Sequence, residues 1–362
     1  MLSSLPPYLL SVLAVLLSSI VSMYAIRKTI FITKRMKIYD VPDKIRKIHG
    51  AGIPSLGGIG IFTGYLIIAV FFWPGHYFFM PAIISSSVLL VFTGIYDDLV
   101  NMKPSQKLIA QLAASFITVH FTDFRMEPVF TAFGIGAIPY WPDVIITTIS
   151  CTFFINVFNF IDGIDGLACT MAILYLGILG CLFAFSEHQG LAGITFALLG
   201  ATGGLLYYNA PPAKIYMGDT GSMFLGFTIF NFSLLFIKWC NTNEININKI
   251  PLHGTTQAVI LVMAMLFIPI FDGLRVFILR VSKGISPLKA DRAHLHYYLL
   301  DAGFTHTQSV AIIAGTNVVF IALAWVMQDV HPMVVLLSIT ALALLELGVI
   351  YRLRQRKMTI GH

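Results

Sequence analysis

The sequence predicts an all-α polytopic membrane protein with about 10–11 transmembrane helices, and three observations support this class. Of the 362 residues, 57% are hydrophobic and only 11% are charged, whereas a soluble domain carries about 25% charged residues. The mean hydropathy of +0.84 is too high for a chain that must present a polar surface to water. The apolar runs are long and uniform, which favours helices over the alternating strands of a membrane barrel.

Runs of about 20 mainly apolar residues, long enough to cross a bilayer, occur at eleven places in the chain. The fourth and fifth runs are short, so their ends are loosely defined. No long polar linker divides the chain, and we predict one integral-membrane domain over residues 1–362, with a loop between spans over residues 279–308. The predicted spans are 5–26, 54–73, 78–96, 106–121, 144–158, 167–185, 191–208, 222–240, 255–278, 309–327 and 332–351.

Basic residues predict the orientation of these spans, because cytoplasmic loops of membrane proteins are enriched in Lys and Arg. If the basic segment after the first span is cytoplasmic, that side receives 20 of the 23 basic residues, and only Arg125, Lys238 and Lys249 lie outside. We therefore expect the N-terminus outside and the C-terminus in the cytoplasm. The net charge of +6 then reflects orientation and lipid headgroups. Nucleic-acid binding is not expected, since no basic face is interleaved with aromatic residues.

In this topology the acidic residues gather in short cytoplasmic turns, the first of which contains Asp97 and Asp98. Adjacent carboxylates repel, which suits a general base or a site beside a metal ion. A solvated helix end is the alternative interpretation. Lys107 follows a few turns later, where it would either meet a phosphate or extend towards the membrane interface.

The second turn contains Asn159, Asp162 and Asp165, spaced three apart, so that in a helical turn they share one face. Gly163 and Gly166 allow the backbone to approach a ligand closely. Asp-Gly pairs are also common in ordinary turns. Two carboxylates and an amide aligned at a membrane boundary nevertheless favour a functional site.

The third turn places Asp219 between two glycines at the start of a span. A carboxylate in this position can bind Mg²⁺, which prefers oxygen ligands, and the following helix N-terminus favours anionic groups. Nearby, Asn209 and Tyr216 are candidates to read a base edge and stack on it. The alternatives are a helix cap for Asn209 and an interfacial tyrosine for Tyr216.

The loop over residues 279–308 combines positive charge with a His-x-His pair. His294 and His296 are two residues apart and would lie on different sides of a helix, so a loop or helix entry fits them better. Phosphate contact is favoured over a transition metal, since no Cys or third His is nearby. A basic membrane-surface loop is the alternative. The basic residues of the loop are Arg280, Lys283, Lys289 and Arg292.

Two further segments have simpler interpretations. The glycines at 57, 58 and 60 lack the spacing of a phosphate-binding loop, and helix packing accounts for them better. Asp272 and Arg275 lie on one helix face near the inner end of a span, where they are expected to pair with each other. Three residues before the second span are candidate anion contacts: Arg46, Lys47 and His49.

Together these segments resemble the polyprenyl-phosphate N-acetylhexosamine-1-phosphate transferases, and most closely their WecA-type branch. The matching segments run in the family's order from about residue 50 to residue 310. Each is only modestly specific alone, whereas their ordered combination is highly specific. The segments are IPSLGGIGIF, IYDDLVN, NVFNFIDGIDGLA, KIYMGDTGS and GISPLKADRAHLHYYLLDAGFTHTQS.

The resemblance implies that UDP-N-acetylglucosamine and undecaprenyl phosphate react to give the lipid-diphosphate sugar and UMP, at the cytoplasmic face of the bacterial inner membrane. It implies Mg²⁺ as cofactor, with Mn²⁺ as an alternative, and leaves a homodimer and the exact N-acetylhexosamine open. With the chemistry above, the expected catalytic residues are Asp97, Asp98, His294 and His296. The expected metal ligands are Asp219 and Asp162, and the expected substrate-binding residues are Lys107, Asn159, Asp162, Asp165, Asn209, Tyr216 and Arg292.

One position departs from the family pattern: Tyr297 stands where the family commonly has another histidine.

Three other functions are the alternatives to a transferase. A transporter would place carboxylates near span centres, a lipid diphosphate hydrolase would release phosphate without a nucleotide sugar, and a non-enzymatic scaffold would tolerate loss of Asp219.

Overall fold

A computed structural model describes the fold, and the chain is helical throughout the described segments, without strands in them. The predicted anion contacts Arg46, Lys47 and His49, and the loop residue Lys289, lie outside the described residues. Those residues are 6–38, 52–73, 75, 77–242, 252, 254–286 and 292–360. The helices are α1 Pro7–Met36, α2 Gly57–Phe72, α3 Met80–Val100, α4 Pro104–Thr122, α5 Glu127–Ala132, α6 Tyr140–Ile161, α7 Leu167–Phe185, α8 Gln189–Asn209, α9 Gly218–Asn241, α10 Thr255–Ser282, α11 Leu295–Ala302, α12 His306–Val326 and α13 Pro332–Ile360.

Each predicted span coincides with a long helix, which confirms the polytopic all-α class. Among the described residues, nine helices are long and apolar enough to cross a membrane. The other two are α2, an apolar helix of 16 residues, and α4, which carries Gln106, Lys107 and Gln111 in its first half. The short helices α5 and α11 were not predicted, because six or eight residues are too few to show a helical period. The orientation of the termini remains a prediction.

Helix α9 forms the centre of the bundle and is buried from Thr220 to Ile237. It packs against α2, α3, α6, α7 and α10. Its sequence is apolar or small all round, as expected for a helix enclosed on every side. Within it, Thr228 and Asn231 donate hydrogen bonds to the carbonyls of Phe224 and Phe227. The start of α9 therefore lies among closely packed helices.

Glycines allow two helices to approach the start of α9 backbone to backbone. A Cβ atom added at Gly58 in α2 would lie 2.1 Å from the Gly221 nitrogen, and one at Gly94 in α3 would lie 2.4 Å from Thr220 Cα. These separations are too short for any side chain. The helix-packing interpretation of the glycines at 57–60 is thus confirmed, and the contact positions α3 beside α9.

One end of the bundle, here called the site end, gathers the polar turns. It contains the ends of α3, α6, α8 and α10, which meet the starts of α4, α7, α9, α11 and α12. The opposite end has its own ion pairs, in which Asp123 lies 3.6 Å from Lys238 and Asp143 lies 3.7 Å from Arg125. The four predicted clusters therefore share one end of the molecule, with their described residues within reach of one another.

Candidate active site

Asp98 caps the N-terminus of α9. Its Oδ1 accepts a hydrogen bond from the Asp219 backbone N–H at 2.9 Å, and its Oδ2 accepts from the Thr220 N–H at 3.1 Å and from the Thr220 hydroxyl at 2.6 Å. A carboxylate here satisfies N–H groups that have no partner inside the helix and lies at the positive end of the helix dipole. Asp98 therefore ties the end of α3 to the start of α9.

Asp97 has a different environment from its neighbour. The Met102 N–H donates to Asp97 Oδ1 at 2.6 Å, and Asp97 Oδ2 lies 3.5 Å from Lys107 Nζ. The side chains of Asp97 and Lys107 are each 17% exposed, so solvent can reach them. The two adjacent carboxylates thus divide into one that supports the fold and one that faces the pocket.

Asp219 is held from two sides. The Lys107 ammonium contacts its Oδ2, and the Asn159 side-chain amide donates to its Oδ1 at 2.6 Å. The same amide lies 2.7 Å from the Ser222 hydroxyl oxygen. These contacts bring α4, α6 and α9 together at one carboxylate, whereas the predicted roles of Lys107, Asn159 and Asp219 toward substrate and metal remain predictions.

Asp162 follows the last residue of α6 and is partly buried in the same pocket. Burial, together with the nearby charges of Asp219 and Asp98, raises the pKa of Asp162 well above its usual range, although the Gly218 backbone N–H donates to it. Among the described residues, four carboxylates therefore share this pocket with the ammonium of Lys107. Such an excess of negative charge is stabilised by protons or by a bound cation.

The described residues contain no group of three or more His, Cys, Asp or Glu side chains arranged to hold a metal ion. The Lys107 ammonium contacts both Asp97 and Asp219. It therefore neutralises part of the negative charge that a bound cation would otherwise neutralise. The donors themselves are carboxylate and amide oxygens, which are the ligands that Mg²⁺ accepts while keeping several waters. The chemistry of the donor set therefore fits a divalent cation.

Asn209 and Asp165 connect two turns beside the carboxylate pocket. Asn209 is 1% exposed; its Oδ1 accepts from the Gly166 N–H at 3.0 Å, and its Nδ2 donates to the Ile215 carbonyl at 2.9 Å. Both ends of this amide are thus used within the protein, which makes Asn209 a support for the pocket. Asp165 Oδ2 accepts from the Ala213 N–H at 3.1 Å. Substrate contact by either side chain remains a prediction.

Tyr216 belongs to the same supporting structure through its backbone. Its N–H donates to the Pro54 carbonyl at 2.8 Å, and its carbonyl accepts from the Gly57 N–H at 3.0 Å. These bonds fasten the segment before α2 to the segment before α9. Stacking of a base on the half-buried Tyr216 ring remains a prediction.

The two loop histidines lie at a helix entry, as expected from their spacing. His294 is the N-cap residue of α11 and His296 lies in its first turn, with their rings parallel and 5.8 Å apart. The His294 ring is 5.3 Å from the Phe160 ring. A Cβ atom at Gly163 would lie 2.1 Å from His296 Nε2, so the histidine loop packs directly on the turn that carries Asn159 and Asp162.

Arg292 is held within the histidine loop. Its guanidinium donates to Asp301 Oδ1 at 3.0 Å and lies 4.8 Å from the centre of the Tyr297 ring. Tyr297, which departs from the family pattern, therefore provides a cation–π surface for Arg292. Substrate binding by Arg292 stays a prediction.

Sequence reasoning missed several residues of this site. Thr220 and Ser222 lie in the same segment as Asp219, and their place at the start of a helix was the available signal. His306 lies 3.5 Å from Asp165 Oδ2, a contact between α12 and the turn before α7 for which the sequence has no signal.

These features define a class: a multi-pass membrane protein whose helix ends assemble a carboxylate-rich pocket at one end of the bundle. The glycosyl transferase family 4 model matches residues 80–238, which include Asp97, Asp98, Asp162 and Asp219. Curated relatives match over most of the chain. Residues 80–238 of the chain are therefore similar to glycosyl transferase family 4.

Three relatives illustrate the likeness. A Bacillus subtilis protein described as a probable undecaprenyl-phosphate N-acetylglucosaminyl 1-phosphate transferase is 29% identical over 87% of this chain and 85% of its own length. An Escherichia coli undecaprenyl-phosphate alpha-N-acetylglucosaminyl 1-phosphate transferase is 27% identical over 78% of this chain and 74% of its own. A Mycobacterium tuberculosis decaprenyl-phosphate N-acetylglucosaminephosphotransferase is 26% identical over 82% and 78%, respectively.

Proposed function

We propose that this protein transfers N-acetylglucosamine 1-phosphate from UDP-N-acetylglucosamine to undecaprenyl phosphate, releasing UMP. One observation carries the proposal: Asp97, Asp98 and Lys107 meet Asp219, which lies more than 100 residues later in the chain, at one end of a membrane bundle. One substrate is a lipid and the other is water-soluble, so their reaction requires a site at the membrane surface. The named activities of the three relatives support the same transfer.

In the proposed reaction, an oxygen of the lipid phosphate attacks the phosphorus that bears the sugar. A new P–O bond forms, the bond between that phosphorus and the bridging oxygen to UMP breaks, and UMP leaves with the bonding electrons. In this proposal Asp97 accepts a proton from the lipid phosphate, which its partial exposure supports, while Asp98 serves as a helix cap. Lys107 offsets the repulsion between two anionic substrates.

A divalent cation, Mg²⁺ with Mn²⁺ as an alternative, is part of the proposal. Asp219 and Asp162 are the residues that would hold it, with the Asn159 amide beside them. When bound, it would neutralise the negative charge that builds up on the leaving UMP as the diphosphate bond breaks.

The site would face the cytoplasm of a bacterial inner membrane, because nucleotide sugars are supplied there and because the basic residues predict that orientation. The proposal is compatible with a homodimer, and the mass of the purified particle would measure the oligomeric state.

The test is release of UMP by purified protein supplied with undecaprenyl phosphate and UDP-N-acetylglucosamine. UMP should appear only with Mg²⁺ or Mn²⁺ present, and in equal amount to the lipid product. Asp97→Asn should abolish UMP release. The matched control is Asp329→Asn, which removes an exposed carboxylate after α12 at the opposite end, and it should leave UMP release unchanged. Absence of UMP with both substrates present would refute the transferase, and phosphate release without a nucleotide sugar would identify a hydrolase.

The sugar is tested separately with a panel of UDP-N-acetylhexosamines. N-acetylglucosamine is expected to be the best donor. A clear preference for N-acetylgalactosamine would keep the reaction and change the substrate.

A further inference from the structure

Asp272 lies in α10, outside the carboxylate pocket, and is 6% exposed. Its Oδ2 lies 2.9 Å from His294 Nδ1. Its Oδ1 accepts hydrogen bonds from the Leu295 N–H at 3.1 Å and from the Arg275 guanidinium at 2.6 Å. The two oxygens of this carboxylate therefore contact His294 and Leu295 at the start of α11, and one of them also contacts Arg275.

The chemistry of this contact decides which nitrogen of His294 carries a proton. A carboxylate can only accept hydrogen bonds, and the adjacent Arg275 guanidinium keeps Asp272 in that form. The Nδ1 atom of His294 must then be the donor, so in the neutral ring the lone pair lies on Nε2. A carboxylate partner of this kind fixes both the tautomer and the orientation of an imidazole.

The neighbours of His294 connect it to the pocket. Its ring is 5.3 Å from the Phe160 ring and parallel to the His296 ring. Phe160 directly follows Asn159, which donates to Asp219. Orientation of His294 is thus linked through one turn to the carboxylate that would bind the cation.

Arg275 has a related but separable role. It donates to the Ala293 carbonyl at 2.5 Å, and its guanidinium lies 5.1 Å from the Tyr298 ring. It therefore holds the backbone before His294, at Ala293, and packs on the Tyr298 side chain of α11, while Asp272 contacts the imidazole and the Leu295 N–H. Arg275 is a natural control for loss of the ion pair.

We propose that Asp272 is a positioning residue for the transferase, which holds His294 in the tautomer with the lone pair on Nε2. This inference rests on the proposed function. The rival explanation is that Asp272 and Arg275 merely neutralise each other at the end of a membrane helix.

The test compares two substitutions at one position. Asp272→Asn keeps the shape of the side chain but permits its amide to donate to Nδ1 and so favours the wrong tautomer, as in a serine protease triad. Asp272→Glu changes the shape and keeps the carboxylate. We expect Asp272→Asn to lower kcat by about 100-fold or more with little change in KM for the UDP-sugar, and Asp272→Glu to retain more kcat than Asp272→Asn. A packing role predicts the reverse order.

A double-mutant cycle then asks whether the effect passes through His294. Asp272→Asn should cause no further loss of kcat in a His294→Gln background, whereas its effect should persist in an Arg275→Gln background. Full additivity with His294→Gln would overturn the proposal.

If Asp272→Asn fails to fold, the Asp272→Glu variant provides the test. A kcat for Asp272→Glu as low as that of His294→Gln would also overturn the proposal. An inactive wild-type protein would instead refute the proposed function itself, which separates the two failures.

Discussion

At the scale of single residues, the site shows how neighbouring carboxylates acquire different roles. Asp98 accepts three hydrogen bonds at the start of α9, while Asp97 lies beside Lys107 and is partly exposed. The distinction arises from which helix end each side chain meets. Both residues were predicted as catalytic, and the structure assigns Asp98 a structural contact that can be measured.

Loss of the cap should separate stability from chemistry. Asp98→Ala should lower the free energy of unfolding by about 1–2 kcal/mol, because N–H groups at the start of α9 lose their acceptor. Asp98→Asn, whose single carbonyl oxygen can accept only part of those bonds, should regain part of that stability. Thermal unfolding in detergent measures both variants, and Asp97→Asn is the control that should unfold close to wild type. Equal destabilisation by Asp97→Asn would contradict the division of roles.

Lys107 offers a test of the proposed cation. Its ammonium contacts Asp219, so it competes with a metal for that carboxylate. Lys107→Gln should lower the Mg²⁺ concentration needed for half-maximal UMP release, while kcat falls by about 10-fold or more through loss of positive charge near the phosphates. Activity measured across a Mg²⁺ titration gives both quantities. A higher Mg²⁺ requirement in the variant would mean that Lys107 helps to form the metal site.

At the scale of elements, the position of each candidate catalytic group depends on close approach of helices. Gly94 and Gly58 allow α3 and α2 to reach the backbone of α9 at Thr220 and Gly221. Gly163 performs the same task for the turn after α6, where His296 lies against its Cα. Small residues at such contacts are the usual means of packing membrane helices closely.

Adding one methyl group at the α3–α9 contact should destabilise the bundle. Gly94→Ala should lower the free energy of unfolding by about 1–3 kcal/mol, because the backbones of α3 and α9 must separate. Gly203→Ala in α8 is the matched control, since a Cβ atom there would meet nothing within 4 Å. Thermal unfolding in detergent compares the two. An unchanged Gly94→Ala protein would mean that α9 shifts without cost.

At the turn after α6, the same change should affect activity more than stability. Gly163→Ala would place a methyl group where His296 Nε2 lies, and the imidazole, at the end of a side chain, can move aside. A displacement of about 1 Å near the reacting groups can reduce the rate by about 100-fold. The kcat for UMP release should therefore fall while the unfolding temperature stays near that of wild type. A folded Gly163→Ala protein with normal kcat would exclude His296 from the chemistry.

At the scale of the whole molecule, the long helices separate two polar ends. The site end holds the carboxylate pocket and the histidine loop, and the opposite end holds the ion pairs of Asp123, Arg125, Asp143 and Lys238. The outer helices α1, α12 and α13 keep large apolar side chains exposed along their length, as expected where lipid is the solvent. The proposed function requires the site end to face the cytoplasm.

Cysteine labelling can measure this orientation. In a variant without the four native cysteines, Asp329→Cys at the opposite end should react with a membrane-impermeant maleimide in intact spheroplasts. Lys214→Cys, exposed at the site end, should react only after permeabilisation. Both predictions follow from the excess of Lys and Arg at the site end. Labelling of Lys214→Cys in intact spheroplasts would reverse the topology and contradict a cytoplasmic site.

The sequence by itself determined the class, the eleven long helices and the polar turns, because these depend on local hydropathy and on residue types at short spacing. The structure brings Asp97, Lys107, Asn159, Asp162 and Asp219 together in one pocket, and their roles in binding and catalysis remain predictions.

Only the tertiary structure decided how those groups are used. Asp98 as a helix cap, Asn209 as an internal support and Asp272 as the partner of His294 all depend on contacts between segments distant in sequence. A side chain's chemical type is local, but its hydrogen-bond partner is set by which helices pack together, and no short pattern in the chain encodes that choice.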